Sequence, residues 1–452
     1  MEGLRLSRGR VGGYVNIELP PDVATKLGAA LGTILGERAI AVTARDYYPP
    51  SRMLKRAFTA GLMSTGVTVI DFHAATTPEL IYAIKRFGAK AGIQFLVSDF
   101  EEDYVNLKIY DSHGIEFPMD RLEEIVERAR RDRLVRAQPQ RIGWVTYAEY
   151  IHDVYMASLI NYVDVDSITS ASFRVVADLN YGPSDQVLPE LLSQVGVDLI
   201  SLNSHKPPAF KGVINMPRIE ALARLSRAVK AMECDLGVAL SADASHVFFV
   251  DDQGAPLEPE EILALYMKYY ARNSAVVTTN SASILLDSVA SEINSKVLRV
   301  EYSPDSIARV VRRRRAAIGG ADTGEYIFPG FSPSPDGILA ALKLLEMLAR
   351  LEARLSELRR ELKRPPTTSL RMDLGGLNPV EAVYSIWRNR DLEEVITTPM
   401  GVKVKIQNRW VLIRPSSDGA IVIESERVGS VSELKSIAEG VRSLIISEGS
   451  RL

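Results

Sequence analysis

Few side chains in this 452-residue sequence are of the types that carry chemistry on their own. The single cysteine, Cys234, cannot close an internal disulfide or build a cysteine-rich metal site, and such usage fits a reducing cytoplasm. Five histidines, at 73, 113, 152, 205 and 246, are too scattered for a histidine-only metal cage. No Walker loop, dinucleotide fingerprint or zinc spacing rises above chance. Clustered charge is the remaining signal. Asp99, Glu101, Glu102 and Asp103 crowd the residues after Ser98, which ends an apolar run. Arg309 and Arg312 to Arg315 form a basic run on a predicted helix, readable as a solvated face or as a contact for a partner or polyanion.

The elements that must position these groups recur in three segments. AIAVTARD (39–46) reads as a buried strand, the stretch holding Leu54, Phe58 and Leu62 as a helix, and VTVIDF (67–72) as the next strand. The same order returns in FRVVADLNYG (173–182), VLPELLSQVG (187–196) and VDLISLN (197–203), and again in AVVTTNS (275–281), ILLDSVASEINS (284–295) and KVLRVEYS (296–303). Strand–helix–strand units of this kind build sheets with parallel strands covered by helices. The leucine-rich stretch 338–362 reads as one long charged helix joining domains. After the break KRPPTT (363–368), the tail alternates strand patterns with helices near 378–388 and from about 431, a smaller α+β unit. The expected domains are 1–145, 146–255, 256–363 and 364–452.

Composition bounds the class. Apolar residues make up 46% and charged residues 25%, ordinary for a globular chain, and 54 basic against 57 acidic residues give no global pull toward nucleic acid or an anionic membrane. No stretch approaches the ~20 apolar residues of a membrane span, so the expectation is a soluble, cytoplasmic protein of several domains.

The stretch ARDYYPPSRMLKRAFTAGLMSTGVTVIDFHAATTPEL, then GIQFLVSDFEEDYVNLKIYDSHGIE, VVADLNYGPSDQVLPELL, DLGVALSADASHVFFVDDQG, GGADTGEYIFPGFSPSPDGILAALKLLEML and WVLIRPSSDGAIVIESE, resembles the α-D-phosphohexomutases. That family comprises phosphomannomutases, phosphoglucomutases and phosphoglucosamine mutases. The blocks keep family order and span nearly the whole chain. The resemblance implies an α/β fold: three related α/β domains with mixed sheets and a C-terminal α+β domain, arranged around a central cleft. It also implies transfer of phosphate between the 1- and 6-positions of a hexose, through a phosphoserine and one Mg²⁺.

Residue by residue, the four family loops are altered. The nucleophile loop TASHNPPEYNGxK aligns with LVSDFEEDYVNLK, placing Ser98 at the phosphoserine and Lys108 at the family lysine. The metal loop DGDxDR becomes Ser241-Ala242-Asp243-Ala244-Ser245-His246, leaving Asp243 as the one retained carboxylate. Two neutral hydroxyls are poor Mg²⁺ ligands beside carboxylates. The sugar loop GGEESGH becomes Gly319-Gly320-Ala321-Asp322-Thr323-Gly324-Glu325, where Thr323 can still offer a hydroxyl. The phosphate loop RPSGTEP keeps Arg414 and Ser416 but carries Ser417 and Asp418, and Arg45 matches the first-domain GRDxR element. The resemblance therefore implies catalytic Ser98 and Lys108, metal-binding Asp243, and substrate-binding Arg45, Thr323, Arg414 and Ser416. The substitutions point to a catalytically degenerate member, a pseudoenzyme that binds a hexose phosphate or a paralogous mutase subunit. The alternative is a divergent but active mutase using Ser98.

Overall fold

In the computed structural model, which describes residues 4–7, 10–99, 101–207, 213–303, 305–388, 394–398, 400–416 and 419–449, the chain builds four sheets. The first has seven strands in the order Arg5–Ser7, Arg10–Tyr14, Tyr104–Asp111, Ala91–Val97, Ile40–Arg45, Thr68–Ala74 and Val145–Tyr147. The second runs Val247–Val250, Leu236–Leu240, Arg174–Asp178, Asp198–Leu202, and the third Lys296–Val300, Ala275–Thr279, Ile318–Gly320, Tyr326–Ile327. In these three sheets each expected strand–helix–strand unit supplies one parallel pair, further strands extend it in parallel, and a hairpin adds antiparallel strands. The fourth sheet is antiparallel throughout, in the order Thr368–Asp373, Ala420–Ser425, Arg409–Pro415, Gly401–Ile406, Val395–Thr398.

Burial explains these choices. The central strand Ala91–Val97 is buried at every position, as a strand covered on both faces must be. In the fourth sheet alternation governs instead. Val411 and Ile413 enter the core beneath helices Pro379–Arg388 and Val431–Gly449, while Trp410, Leu412 and Arg414 take the opposite face.

The stretch 338–362 departs from the expectation of one helix. It forms two, Gly337–Leu351 and Leu355–Arg360, separated where Glu352 turns left-handed at φ 49° and caps the first. Leu355, Leu358 and Leu362 still reach the core, so the leucine spacing runs on through the break and hides it. Helix Gly337–Leu351 packs against the second sheet, which fuses the cores of the second and third sheets into one. Among the described residues, no helix is long and apolar enough to cross a membrane.

Candidate functional site

Each of the four loops singled out in the sequence is a hairpin tip. Val97 pairs with Val105, Leu240 with Val247, Gly320 with Tyr326 and Pro415 with Ile421, so the chain between each pair is held at both ends by a ladder. Among the described residues, each tip holds one left-handed residue: Asp103 at φ 58°, Ala244 at 58°, Gly324 at 89° and Gly419 at 86°. Glycine takes that conformation freely, whereas Asp103 and Ala244 hold it at a cost.

Three of the tips converge. Asp243, fully buried, accepts a hydrogen bond from Lys108 Nζ at 2.7 Å, from Thr77 Oγ1 at 2.9 Å and from Ser241 Oγ at 2.8 Å. Ser245 adds its hydroxyl, 2.8 and 2.9 Å from the two oxygens, and its backbone N–H at 3.2 Å. Burial alone would raise this carboxyl, but the Lys108 charge and these donors hold it well below the usual range. Ser245 Oγ also lies 2.8 Å from His246 Nδ1, and His246 Nε2 lies 3.5 Å from Glu325 Oε1. Burial pushes the imidazole down, favouring its neutral form. Thr323 spends its hydroxyl on Glu325 Oε2 at 2.9 Å, so the residue expected to read a sugar hydroxyl faces its own loop.

Ser98 is buried beneath this cluster at 5% exposure. Its N–H donates to Tyr104 O, and its carbonyl accepts from Asn215 N at 2.9 Å. Asn215 is the hub of the junction: its side chain donates to Asp99 at 2.7 Å and accepts from Asp243 N at 2.9 Å, while its carbonyl accepts from Ala242 N. Within the acidic loop Asp99 and Glu101 are half-buried, whereas Glu102 and Asp103 are exposed. Asp99 is paired with Arg10 and Asn215, and although burial opposes its charge, Arg10 and Lys108 hold it at about 2. Tyr14 donates to Glu101 at 3.4 Å, Tyr48 to Asp103 at 2.9 Å, and Arg218 lies 3.6 Å from Glu102. Lys108 thus serves Asp243 directly, while Arg10 supplies the nearest cation to the acidic loop. Glu116, 3.7 Å from Arg10 Nε, is pushed up to about 7, chiefly by burial.

Arg10, Asn215 and Glu116 had no signature in the sequence. Arg10 arrives through the pairing of strand Arg10–Tyr14 with Tyr104–Asp111, nearly a hundred residues on. The one available signal for Asn215 was a lone amide in the apolar run Val213-Ile214-Asn215-Met216.

The other expected residues lie apart from the cluster. Arg45 ends strand Ile40–Arg45, its guanidinium 2.6 Å from Asp46 O, while Asp46 accepts from Val97 N just ahead of Ser98. Arg414 pairs with Glu424 at 2.6 Å and lines a cavity between the third and fourth sheets. Ser416 N donates to Ala420 O across the fourth tip, whose Ser417 and Asp418 lie outside the described residues.

The Mg²⁺ implied by the resemblance does not fit the residues present. A carboxylate has about four lone-pair sites, and those of Asp243 already receive three hydroxyls, an amide and an ammonium. A divalent cation there would press against Lys108, and the flanking serines bring no charge to hold it. Among the described residues, no group of three or more His, Cys, Asp or Glu side chains is placed to hold a metal ion.

Comparison with known proteins agrees with this architecture. Residues 7–136, 153–254 and 258–365 match the descriptions "Phosphoglucomutase/phosphomannomutase, alpha/beta/alpha domain I", "domain II" and "domain III". A probable phosphoglucosamine mutase of Thermococcus kodakarensis is 30% identical over 443 residues, 96% of this chain and 97% of that protein. A phosphoglucomutase/phosphomannomutase of the same organism is 30% identical over 421 residues, 91% of this chain and 92% of that protein. The crystal structure of a putative phosphomannomutase from Thermus thermophilus superposes with a TM-score of 0.76 at 21% identity, covering 98% of this chain and 99% of that one.

Proposed function

The chain belongs to the phosphoglucomutase/phosphomannomutase family, and within that family we propose a member that has lost metal-assisted phosphoryl transfer and acts by binding an anionic sugar. One observation carries the reading: Asp243, the one carboxylate kept in the metal loop, is taken up by its own neighbours, with the Lys108 ammonium 2.7 Å from its Oδ2. Phosphoryl transfer draws its acceleration from charge stabilisation and positioning around the moving group. With the lone aspartate saturated and its neighbours neutral, the chain keeps little to supply the divalent share of that stabilisation. The burial of Ser98 supports the same reading, because a phosphoserine adds about −1.5 to −2 charge and needs room for three oxygens.

The test is a coupled mutase assay with glucose, mannose and glucosamine phosphates at millimolar Mg²⁺, together with the intact mass of the purified protein. Turnover stays below ~1 s⁻¹, the lower edge of ordinary enzyme rates, and Ser98 carries no phosphate. Turnover above that rate, with stoichiometric phosphate mapped to Ser98, replaces this reading with that of a divergent active mutase.

A further inference from the structure

We propose that the groove between helix Ser306–Arg314 and the end of strand Lys296–Val300 docks an extended segment of another protein in which acidic and aliphatic side chains alternate. The acids meet Arg312 and Arg313, and the aliphatic groups cover Val300 and Val310. The surface stands apart from the sugar site of the preceding reading: none of Ser98, Lys108, Asp243, Thr323 or Arg414 lines it.

Uncompensated charge points to an acidic partner. Arg312 to Arg315 are all exposed, and their side chains make no hydrogen bond or ion pair among the described residues. Three of them lie in the last turn of the helix, whose dipole offers that end only about half a negative charge. Arg312 also meets a cation of the first unit: desolvation, and then the Arg312 charge, lower Lys85 at the end of helix Thr77–Arg86. The neighbouring carboxylates do not restore the balance. Asp305 lies 2.6 Å from Arg309 Nε and Asp111 3.9 Å from Arg309 Nη1, so both serve Arg309. Glu301 is the one carboxylate among the described lining residues, and it stands against both Arg312 and Arg313.

Shape and floor decide which acidic partner fits. The groove holds about 720 Å³, a volume that suits a short length of chain as well as a small molecule. Its floor is apolar, because Val300 and Val310 pack on the cluster that contains Ile115, Ile307 and Val311. A phosphate backbone has no aliphatic group to cover that floor, and no aromatic ring lines the groove for a base to stack on. From Ser306 to Arg313 the helix advances about 10 Å, the length of about three extended residues. Successive side chains of an extended chain point to opposite faces, so one face carries acids to the arginines while the other covers the floor.

Fluorescence anisotropy of the full chain with a labelled peptide of about eight residues, alternating glutamate and valine, tests this. The comparison ligands are the same peptide with serine in place of valine and an oligothymidylate of equal charge. The glutamate–valine peptide binds with a Kd below about 100 μM, at least about fivefold tighter than either comparison ligand. The double variant Arg312→Glu, Arg313→Glu, with its thermal midpoint intact, weakens it by about tenfold or more. Arg224→Glu with Arg227→Glu, two exposed arginines of another helix, makes the same change in net charge and leaves the affinity unmoved. Equal weakening by both double variants overturns the groove in favour of long-range charge. A serine peptide that binds as tightly overturns the apolar floor, and tighter binding of oligothymidylate overturns a peptide partner. No binding of the glutamate–valine peptide up to millimolar concentration overturns the whole.

Discussion

Lys108 and Asp243 are 2% and 0% exposed at their side chains, and each is the other's main charge compensation. Removing one member of such a buried pair strands the other, at a cost of about 3–5 kcal/mol, whereas replacing both with neutral groups of similar shape costs much less. Lys108→Met and Asp243→Asn should each lower stability by about that amount, and the double variant should lose less than the sum. Denaturant titration of all four proteins gives the cycle, and simple additivity would show that the pair is uncoupled. Millimolar Mg²⁺ should leave the wild-type midpoint unmoved, because a ligand stabilises only when it binds the folded form. At this scale the sequence was half legible. Motif alignment found Asp243, its two serines and Lys108, since these sit at fixed places in hairpins. Which partner Lys108 would choose was not legible, because the two lie 135 positions apart and meet only when two domains dock.

The loop 241–246 owes its position to neighbouring backbone as much as to side chains. Gly182 sits so close to it that an added Cβ would lie 2.0 Å from Ala242 O. The obstacle is a backbone carbonyl of a loop closed by the Leu240–Val247 pair and tied to Asn215 by the Ala242 N–H, so it has no rotamer by which to yield. Gly182→Ala should therefore displace the loop and cost about 1–3 kcal/mol, the usual range for overpacking, measured as a drop in the thermal midpoint. An unchanged midpoint would mean that the loop floats freely. Elements of this kind were readable from the sequence where period and punctuation agreed. Strands 173–182 and 275–281 emerged as Arg174–Asp178 and Ala275–Thr279, with their helices following. The helix break at Glu352 was not readable, because a left-handed residue that caps a helix leaves no trace when the leucine spacing continues across it.

At the scale of the molecule, Lys403 ties the fourth sheet to the third. Its ammonium is hydrogen-bonded to Glu260 and lies 3.0 Å from Asp322, both of them buried residues of the third unit. The resemblance placed the domains around one cleft, but a buried lysine in VKVKIQ gave no sign of this contact, since alternation alone marks Lys403 as the solvent side of a strand. Lys403→Met leaves two buried carboxylates facing each other without a cation, a loss of about 3–5 kcal/mol at neutral pH. Burial already raises Glu260, and without Lys403 it rises further. A carboxyl whose folded pKa lies above its unfolded value binds the extra proton in the folded state, so stability falls as pH rises through that interval. The penalty in Lys403→Met should accordingly be smallest at acid pH and grow as pH rises above the ordinary glutamate range. Hydrogen exchange should show the loss over Gly401–Ile406 and the loop 281–285, with the strand Ala91–Val97 of the first sheet still protected. A penalty independent of pH, or protection lost evenly across all four sheets, would mean that Lys403 does not hold this seam.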